Sequence, residues 1–541
     1  MILYAALLCA VFFLWRRLRT PRFSLDKVPG PPSGSFLLGN ALQLSDRQSW
    51  DFHATIARKY GPVIKVHWLF GTSALYTFDP LALSHAIKDT AKFDEPSWYI
   101  GTNHMMLGPG ILSVAGDMHR KQRKMLTPVF SAKHLRTVVP IFYRVTDKLI
   151  EAISARVPTH AEGTGIDVLG WMSRAALELI GQAGIGYSFD PLTEDKPDAY
   201  ADAVKNFAPV TTASEMLLLR QLAPFLERLG PAWLHRWVME MVPVRNVRRT
   251  VQITDALYER SLEIFRTKKA ALEAGEDTDA KDIMSILLRA NMEASGDDQL
   301  PEDQLLGQMS TIIFAAMDTT SNAMSRTLQL LAENPEVQTK LRREIADAKL
   351  AAGGHLNYDQ LHALSYLDAV CRETLRLHPS GPQAIRVALE DTVLPISHPV
   401  RATDGTLLHE VAVPCGTNIF VSVLGCNRNE ALWGSDAGEW KPERWLAPLP
   451  AALESAAIPG VYSNLMTFLG GARSCIGFTF SQLEMKVVLS EMIANFTFAP
   501  SEKPVVWNLS GISYPTVSAE STKPELWLNN LYDLARTDDQ A

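Results

Sequence analysis

Seven long stretches of the chain repeat apolar residues with the spacing of an amphipathic helix, and this pattern limits the chain to a mainly helical fold. The stretches cover residues 132–157, 165–186, 246–274, 301–333, 335–350, 365–378 and 478–495. Shorter runs typical of strands occur at 62–68 and 73–78, with several more between residues 384 and 425. We therefore predict one large, mainly helical domain with small β-sheets, although a length of 541 residues would usually suggest several domains.

The charge and the cysteine content of the chain exclude several classes of protein. The formal net charge is −7, and acidic and basic residues are mixed along the chain, so we exclude nucleic acid as a partner. The five cysteines form no CxxC pair, which argues against a disulfide framework and against a zinc site. We expect a protein of a reducing compartment with a large apolar core, since 47% of its residues are hydrophobic.

The N-terminus has the pattern of a membrane anchor. Residues 1–15, MILYAALLCAVFFLW, carry no charged side chain, and arginines follow at positions 16, 17, 19 and 22. We predict a transmembrane or signal-anchor helix over residues 1–20, a basic and proline-rich connector over 21–34 and a catalytic body over 35–541. A cleaved signal peptide is the alternative, but no basic residue precedes the apolar run and no small-x-small cleavage site follows it. The arginines would keep the body in the cytosol.

The stretch FLGGARSCIGF, residues 468–478, surrounds one cysteine with glycines, an arginine and phenylalanines. Glycines let the backbone approach a bound group closely, and Phe468 can shield a thiolate from water. Because Cys475 has no second cysteine nearby, a metal bound there must bring most of its own ligands, as haem does with its ring nitrogens. Arg473 can then pair with a haem propionate. The alternative is a buried structural cysteine in a glycine turn.

Polar residues interrupt the long apolar helix that Pro301 opens. Asp318 and Thr319 follow Ala315 and Ala316, so a carboxyl and a hydroxyl group adjoin a notch of small side chains. Hydroxyls in a helix can bond to carbonyls one turn back, and an acid beside an alcohol suits a proton path next to a bound ligand. The alternative is a polar face turned to solvent.

An acid and a base lie three positions apart in CRETLRLHP, where Glu373 and Arg376 share one face of a helix. Such a pair on the surface contributes little to stability. The neighbouring leucines, however, predict a buried helix, in which both charges need further partners. Arg444 in KPERW, upstream of the cysteine loop, can supply one.

Together these motifs resemble those of the cytochrome P-450 family, the haem-thiolate monooxygenases, and its membrane-anchored fungal members in particular. Residues 468–477 fit the family's FxxGxRxCxG signature, with Cys475 at the axial iron ligand. Glu373 and Arg376 match the ExxR pair, and Arg444 matches the arginine that completes its triad. The segment AAMDTT, residues 315–320, is similar to the oxygen-activating AGxDTT segment. The four motifs occur in the family's order over nearly the whole chain.

The resemblance implies the cytochrome P-450 fold around haem b, and it assigns further residues to haem binding. Besides Cys475, these residues are Phe468, Gly470, Arg473 and Gly477 in the cysteine loop, His119 and Arg123 in GDMHRKQRKML, and Arg386 in GPQAIRV. His119 replaces a tryptophan of the family, and a histidine can still donate to a propionate. Ala316 replaces a glycine and adds one methyl group where dioxygen would bind.

The resemblance also implies a reaction and its partners. Haem bound to Cys475 would transfer one oxygen atom of dioxygen to a substrate, while Asp318 and Thr319 relay protons. Electrons would come from NADPH through an NADPH-cytochrome P-450 reductase at the endoplasmic reticulum membrane. Mostly apolar segments around the expected pocket favour a lipophilic substrate, with a terpenoid or other secondary metabolite as the first expectation. The alternatives are a haem-thiolate isomerase or dehydratase, which needs neither dioxygen nor reductase, and a non-enzymatic membrane haem protein.

Overall fold

The computed structural model describes residues 24–156, 165–193, 199–211, 213, 215–226, 232–275, 281–294 and 296–532. The predicted anchor, residues 1–20, lies outside these ranges, as do the first three residues of the connector. The rest of the connector, residues 24–34, contains neither helix nor strand, as its prolines predict. Within the described ranges, no helix is both long enough and apolar enough to cross a membrane.

Helices form most of the fold. The longer α-helices span Trp50–Tyr60, Pro80–Lys88, Ser97–Leu107, Gly116–Leu126, Ala132–Ser154, Val168–Leu179, Ala199–Thr211, Ala232–Met241, Arg245–Glu273, Ile283–Glu293, Glu302–Glu333, Pro335–Ala352, Ser365–Leu377 and Phe478–Asn495. The shorter ones span Ala41–Ser45, Met216–Arg220, Ala223–Leu226, Tyr358–Ala363, Val423–Asn427, Glu430–Trp433 and Ala451–Ser455. Single turns of 3₁₀-helix span Leu69–Gly71, Thr127–Phe130, Gly296–Asp298, Pro442–Leu446 and Gly471–Arg473, and a π-helix spans Ile180–Ile185.

The strands of the described residues pair into four small sheets. They are β1 Val63–His67, β2 Ser73–Thr77, β3 Phe93–Asp94, β4 Gly165–Asp167, β5 Gln383–Ala388, β6 Thr392–Arg401, β7 Leu407–Val413, β8 Asn418–Ser422, β9 Phe496–Pro500, β10 Val506–Asn508, β11 Tyr514–Thr516 and β12 Trp527–Tyr532. The largest sheet has the order β1-β2-β8-β5-β3, and the others are β4-β12-β9, β6-β7 and β10-β11. The β2–β8 pair is parallel, and the other pairs are antiparallel.

Three helices carry the residues that the motifs single out. We call them the central helix (Glu302–Glu333), the ExxR helix (Ser365–Leu377) and the cysteine helix (Phe478–Asn495). The ExxR helix and the cysteine helix both pack against the central helix. The central helix is buried over most of its length. Pro301 precedes its first residue and Asn334 ends it before Pro335 starts the next helix, because proline fits the first turn but cannot continue a helix.

The fold confirms the prediction of a mainly helical protein with small sheets. Each of the seven predicted helical stretches contains a helix whose bounds lie within a few residues of the prediction, except at 165–186. There the chain begins as β4, which pairs with β12, and Asp167 accepts a hydrogen bond from the Gly170 N–H at 3.2 Å. A side-chain cap of this kind marks the first turn of a helix, so the helix starts later than its apolar periodicity indicates.

Candidate active site

Backbone contacts determine the shape of the cysteine loop. Cys475 follows the 3₁₀ turn Gly471–Arg473, and its N–H donates to the Phe468 carbonyl at 2.9 Å. A Cβ atom on Gly470 would lie 1.9 Å from the Pro459 carbonyl oxygen, and Gly471 has a φ of +63°. No other residue type fits these two positions without strain. The fold therefore requires both glycines, whatever the loop binds.

Gly477 differs from these two glycines, because a Cβ atom there would meet nothing closer than Phe130 at 4.0 Å. Protein contacts do not exclude a side chain at this position, which is consistent with close approach by a bound group. Phe468 packs beside this part of the loop in a trio of rings, with centroid distances of 5.1 Å to Phe478 and 5.6 Å to Tyr462. These rings cover one side of the loop with apolar surface.

The Cys475 side chain is accessible to solvent, although protein atoms surround its thiol. Its side chain is exposed, yet surrounding protein atoms desolvate the thiol, and this burial raises its pKa. The thiol is therefore accessible to solvent and at the same time surrounded by protein atoms. The backbone N–H of Gly477 and the charge of Arg123 act in the opposite direction and lower the pKa of the same thiol. Both favour the thiolate, the form that binds a metal.

Four basic residues from separate parts of the chain converge beside the cysteine loop. We call His119, Arg123, Arg386 and Arg473 the basic cluster. Burial and the neighbouring Arg473 and Arg123 lower the pKa of His119 to about 4, so this histidine is neutral at pH 7 and retains one N–H donor. Arg123 donates to the carbonyl and to Oγ of Ser474, at 2.7 and 2.8 Å. The structure thus brings together the predicted propionate partners.

Two acidic residues that sequence reasoning missed face the same cluster. Arg473 Nη2 lies 3.1 Å from Asp94 Oδ1, and its Nη1 lies 3.3 Å from Glu95 Oε2. Arg386 Nη1 lies 3.7 Å from Glu95 Oε1. Burial raises the pKa of Glu95, against the opposing charges of Arg473 and Arg386. Two guanidinium groups therefore meet two carboxyl groups, and burial favours the neutral form of one of these, Glu95.

The basic cluster has spare capacity for an anion. The Arg386 side chain is 2% exposed, but its Nη2 has no hydrogen-bond partner among the described residues. A buried donor without a partner is costly unless a bound group satisfies it. An anionic group close to Cys475 would do so, and haem carries two propionates for one iron. The residues present therefore fit a haem bound through Cys475.

The ExxR helix contributes a cluster that is complete in itself. Arg376 Nε and Nη2 bond to the two carboxylate oxygens of Glu373 at 2.9 and 2.8 Å, and both residues are 0% exposed. Arg444 Nε lies 3.4 Å from the same carboxylate, and Trp445 Nε1 donates to it at 3.0 Å. Arg444 also bonds to Asp436 at 2.9 Å. The structure thus brings the three predicted triad residues together and adds further partners.

The polar segment of the central helix faces the interior. Asp318 is 5% exposed, which excludes the alternative of a polar face in solvent. Burial raises the pKa of Asp318 to about 7, although the charge of Lys205 and a hydrogen bond from Asn322 act to lower it. Thr319 Oγ1 donates to the Ala315 carbonyl at 2.8 Å. An acid that titrates near neutral pH thus adjoins a hydroxyl group in the same turn.

Sequence reasoning also missed the residues that contact this segment from other parts of the chain. Ser380 Oγ donates to the Thr319 carbonyl at 2.8 Å. Glu484 of the cysteine helix is 0% exposed and lies next to Thr320, and burial raises the pKa of its carboxyl well above the usual value. An acid in a mostly apolar helix was the only available signal for Glu484, and nothing in the sequence marked Ser380.

Comparison with known proteins identifies the family. The sequence model of cytochrome P-450 matches residues 29–517, so the chain belongs to the cytochrome P-450 family. Cytochrome P-450 monooxygenase 91 of Postia placenta is 50% identical over 535 residues, which cover 97% of this chain and 98% of that protein. A ganoderic acid synthetase of Ganoderma lucidum is 49% identical over 518 residues, 94% of each chain. A cytochrome P-450 monooxygenase of Hericium erinaceus is 38% identical over 535 residues, 96% of each chain.

These findings establish the class of enzyme. The chain is a cytochrome P-450 monooxygenase, an oxidoreductase that depends on haem. The names of the relatives favour this activity over the isomerase and the haem-carrier alternatives. The predicted resemblance to fungal members is likewise confirmed, since these relatives are fungal proteins.

Proposed function

We propose that this enzyme inserts one oxygen atom of dioxygen into a lipophilic small molecule, with terpenoids as the first candidate class. The central helix carries the observation that supports the proposal. Between Leu305 and Ala332 this helix is buried except at residues 314–316, Thr319 and Arg326. The opening at 314–316 consists of a phenylalanine and two alanines, and it adjoins the Thr319 hydroxyl. An apolar molecule can therefore lie against the helix beside a proton donor.

Apolar packing continues from this opening into the neighbouring helix. The rings of Phe314 and Phe207 have centroids 4.1 Å apart. Met317 is 1% exposed, so it lies on the buried face of the helix and not in the opening. No charged side chain occurs in residues 314–317, so the opening favours a substrate without charge at this position.

Haem b, when bound, would supply the iron at which dioxygen is activated. In the proposal Cys475 would bind this iron through its thiolate, and His119, Arg123, Arg386 and Arg473 would hold the propionates. Phe468 would cover one side of the loop with apolar surface, and Gly477 would leave room for the haem to approach closely. Glu373, Arg376 and Arg444 contact none of these groups directly in the described hydrogen bonds, so we assign them the structural role of fixing the ExxR helix.

Asp318 and Thr319 move protons in this proposal. With a pKa of about 7, Asp318 is half protonated at neutral pH and can release a proton without a large free-energy cost. The Thr319 oxygen donates its own hydrogen to Ala315 and keeps lone pairs on the open side of the helix. A proton from Asp318 can therefore pass through this hydroxyl to the substrate side.

The proton relay is tested by replacing Thr319 with alanine. Thr319→Ala should lower the product formed per NADPH consumed, because the open face loses its proton donor while electrons still arrive. Thr327→Ala is the matched control, since its hydroxyl makes the same bond to a carbonyl one turn back, at 2.8 Å from Ala323, but is buried. An unchanged product yield in Thr319→Ala would contradict the relay.

We further propose that electrons come from a membrane-bound NADPH-cytochrome P-450 reductase. The candidate docking face includes Arg120, Lys121, Lys124 and Lys133. Arg120 is exposed and pairs with Asp117 at 2.8 Å, so part of this charge is already balanced on the helix itself. Reconstitution with and without the reductase tests the proposal, because turnover that needs neither NADPH nor reductase would contradict it.

The anchor and the location belong to the same proposal. We propose that residues 1–20 form a single membrane-spanning anchor and that residues 21–34 form the connector. Residues 35–541 would then form the catalytic body on the cytosolic side of the endoplasmic reticulum. Removal of residues 1–28 should release the protein from membranes with its haem spectrum unchanged. Loss of haem on this truncation would contradict the proposed boundary.

Substrate class is tested by a haem difference-spectrum titration of the full-length protein. The panel contains cyclic terpenoids, sterols, fatty acids and small aromatic compounds. It also contains ganoderic acid, because one relative is named for its synthesis. A saturable spectral shift with terpenoids alone supports the proposal, and a shift with another class alone overturns the terpenoid part of it.

A further inference from the structure

A small cavity lies next to the Asp318–Thr319 segment, on the side of Asn322 and Ser380. It has a volume of about 210 Å³ and lies among the central helix, the end of the ExxR helix and the β10–β11 sheet. The residues that matter here are Asn322, Arg326, His378, Arg428 and Ser513. No residue of the cysteine loop or of the basic cluster lines it, so it is separate from the proposed haem site.

Two arginines face this cavity without a carboxylate partner. Arg326 Nη1 donates to Gln329 Oε1 at 3.0 Å, and Arg428 Nε donates to the Leu377 carbonyl at 2.8 Å. Neither guanidinium group forms an ion pair with any residue of the described ranges. Burial lowers the pKa of each to about 10, so both remain charged at neutral pH. The charge of Glu333 acts on Arg326 only from beyond hydrogen-bond distance.

The histidine between the two arginines adds no negative charge. Arg326 Nη2 lies 3.2 Å from His378 Nε2, and Arg428 Nη2 lies 3.4 Å from His378 Nδ1. Burial, followed by the charges of Arg326, Arg428 and Arg376, lowers the pKa of His378 well below its usual value. His378 is therefore neutral, and the nearby Arg376 is already paired with Glu373. The cavity carries two positive charges that no carboxylate of the described residues pairs with directly.

Unpartnered polar atoms point to a ligand in this cavity. Arg326 Nε, Ser513 Oγ and Asn322 Oδ1 are buried and have no hydrogen-bond partner in the described residues. Ser513 is 6% exposed and Asn322 is 2% exposed. The first two atoms are donors that a bound anion can accept from. A water chain alone would satisfy them but would leave both guanidinium groups without an ion-pair partner.

We propose that this cavity is a binding site for one small oxyanion, inorganic phosphate or an organic carboxylate, between Arg326 and Arg428. Guanidinium groups match the paired oxygens of such anions. The volume equals that of about seven water molecules at ~30 Å³ each, which suits phosphate or a small carboxylic acid. Trp507 and Trp50 support the two guanidinium groups, with ring centroids 4.9 and 5.7 Å from their Cζ atoms.

The site adjoins the segment to which we assign proton transfer. Asn322 Nδ2 donates to the Asp318 carbonyl at 2.7 Å and to Asp318 Oδ1 at 3.0 Å. Ser380, which also lines the cavity, donates to the Thr319 carbonyl at 2.8 Å. An anion in the cavity therefore contacts the side chains that hold Asp318 and Thr319 from behind.

Isothermal titration calorimetry of the haem-loaded, full-length protein tests the proposal. One arm uses sodium phosphate and the other sodium benzoate, each at constant ionic strength in a bulky sulfonate buffer. Wild type should bind one equivalent of at least one of these anions. Arg326→Gln and Arg428→Gln should each weaken binding by about 10- to 100-fold, as expected for a hydrogen-bonded charge. Arg260→Gln is the control, since Arg260 is paired with Glu263 on the surface.

The outcomes separate the possible ligands and the possible failures. Binding of phosphate alone supports an inorganic ligand, and binding of benzoate alone supports an organic carboxylate. If an arginine variant fails to fold, Arg326→Lys and Ser513→Ala replace it, and both should bind more weakly than wild type because each loses a donor. No saturable binding of either anion would overturn the proposal, and so would equal binding by wild type and by the folded variants.

Discussion

The ExxR cluster (Glu373, Arg376 and Arg444) and the basic cluster beside the cysteine loop both place buried arginines next to acids, and they differ in how completely their hydrogen bonds are satisfied. In the ExxR cluster, Arg376 uses all five of its N–H groups, on Glu373 and on the carbonyls of Asn427, Ala437 and Glu439. In the basic cluster beside the cysteine loop, Arg386 is equally buried but leaves Nη2 without a partner among the described residues.

This difference separates a structural role from a binding role. A buried guanidinium group whose donors are all used stabilises one arrangement of the chain and has nothing left for a ligand. A buried group with an unused donor and surplus positive charge destabilises the protein until an anion accepts a hydrogen bond from that donor and balances the charge. Residue type alone does not distinguish the two clusters, since both consist of arginines and carboxylates.

The largest effect on stability should follow from breaking the ExxR cluster, whose hydrogen bonds are complete. Arg376→Met leaves the Glu373 carboxylate buried without its main partner, which costs about 3–5 kcal/mol. We expect a markedly lower midpoint in denaturant unfolding followed by circular dichroism. Arg136→Met is the matched control, because Arg136 pairs with Asp359 on the surface and its loss should leave the midpoint unchanged. Equal midpoints for Arg376→Met and wild type would contradict the structural role.

An intermediate effect, on haem retention, should follow from changing the basic cluster. Arg386→Met should speed haem loss by roughly 10- to 100-fold, the usual cost of removing a group that supports a metal site, while the unfolding midpoint changes little. Transfer of haem to a scavenging apoprotein measures the rate. Arg386→Lys keeps the charge, so its rate of haem loss should lie between those of wild type and Arg386→Met. If Arg386→Met lowers stability as Arg376→Met does and keeps its haem, the comparison fails.

The smallest effect concerns the pH dependence of turnover. Burial raises the pKa of Asp318 to about 7, so the protonated form that can donate predominates below pH 7 and is lost as the pH rises above it. Coupled product formation should fall about tenfold between pH 6 and pH 8, in proportion to the protonated fraction. Asp318→Asn should be slower and flat over this range, whereas the exposed Asp303→Asn should keep the wild-type profile. A wild-type profile without this fall would contradict the role of Asp318.

The sequence predicted these two clusters to different extents. Glu373 and Arg376 are three positions apart on one helix, so local spacing alone was enough to pair them. The cysteine loop and the segment with Asp318 and Thr319 were also found from local pattern. The helices were predicted within a few residues because their apolar periodicity is strong.

Contacts between distant parts of the chain could not be predicted in this way. Glu95 meets Arg386 only because β3 pairs with β5 in the folded sheet, and no spacing in the sequence relates them. The same holds for Ser380 against Thr319 and for Arg326 against Arg428. Whether a buried donor is left unused depends on every neighbour at once, which a motif does not record.

Iron-edge X-ray absorption of the haem-loaded protein tests most directly the claim that the basic cluster holds a haem bound through Cys475. We expect one sulfur neighbour of iron in wild type, its loss in Cys475→Ser, and its retention in Cys426→Ser, which changes a buried cysteine outside the cysteine loop. An iron without a sulfur neighbour in wild type, or a sulfur neighbour that persists in Cys475→Ser, would contradict the claim.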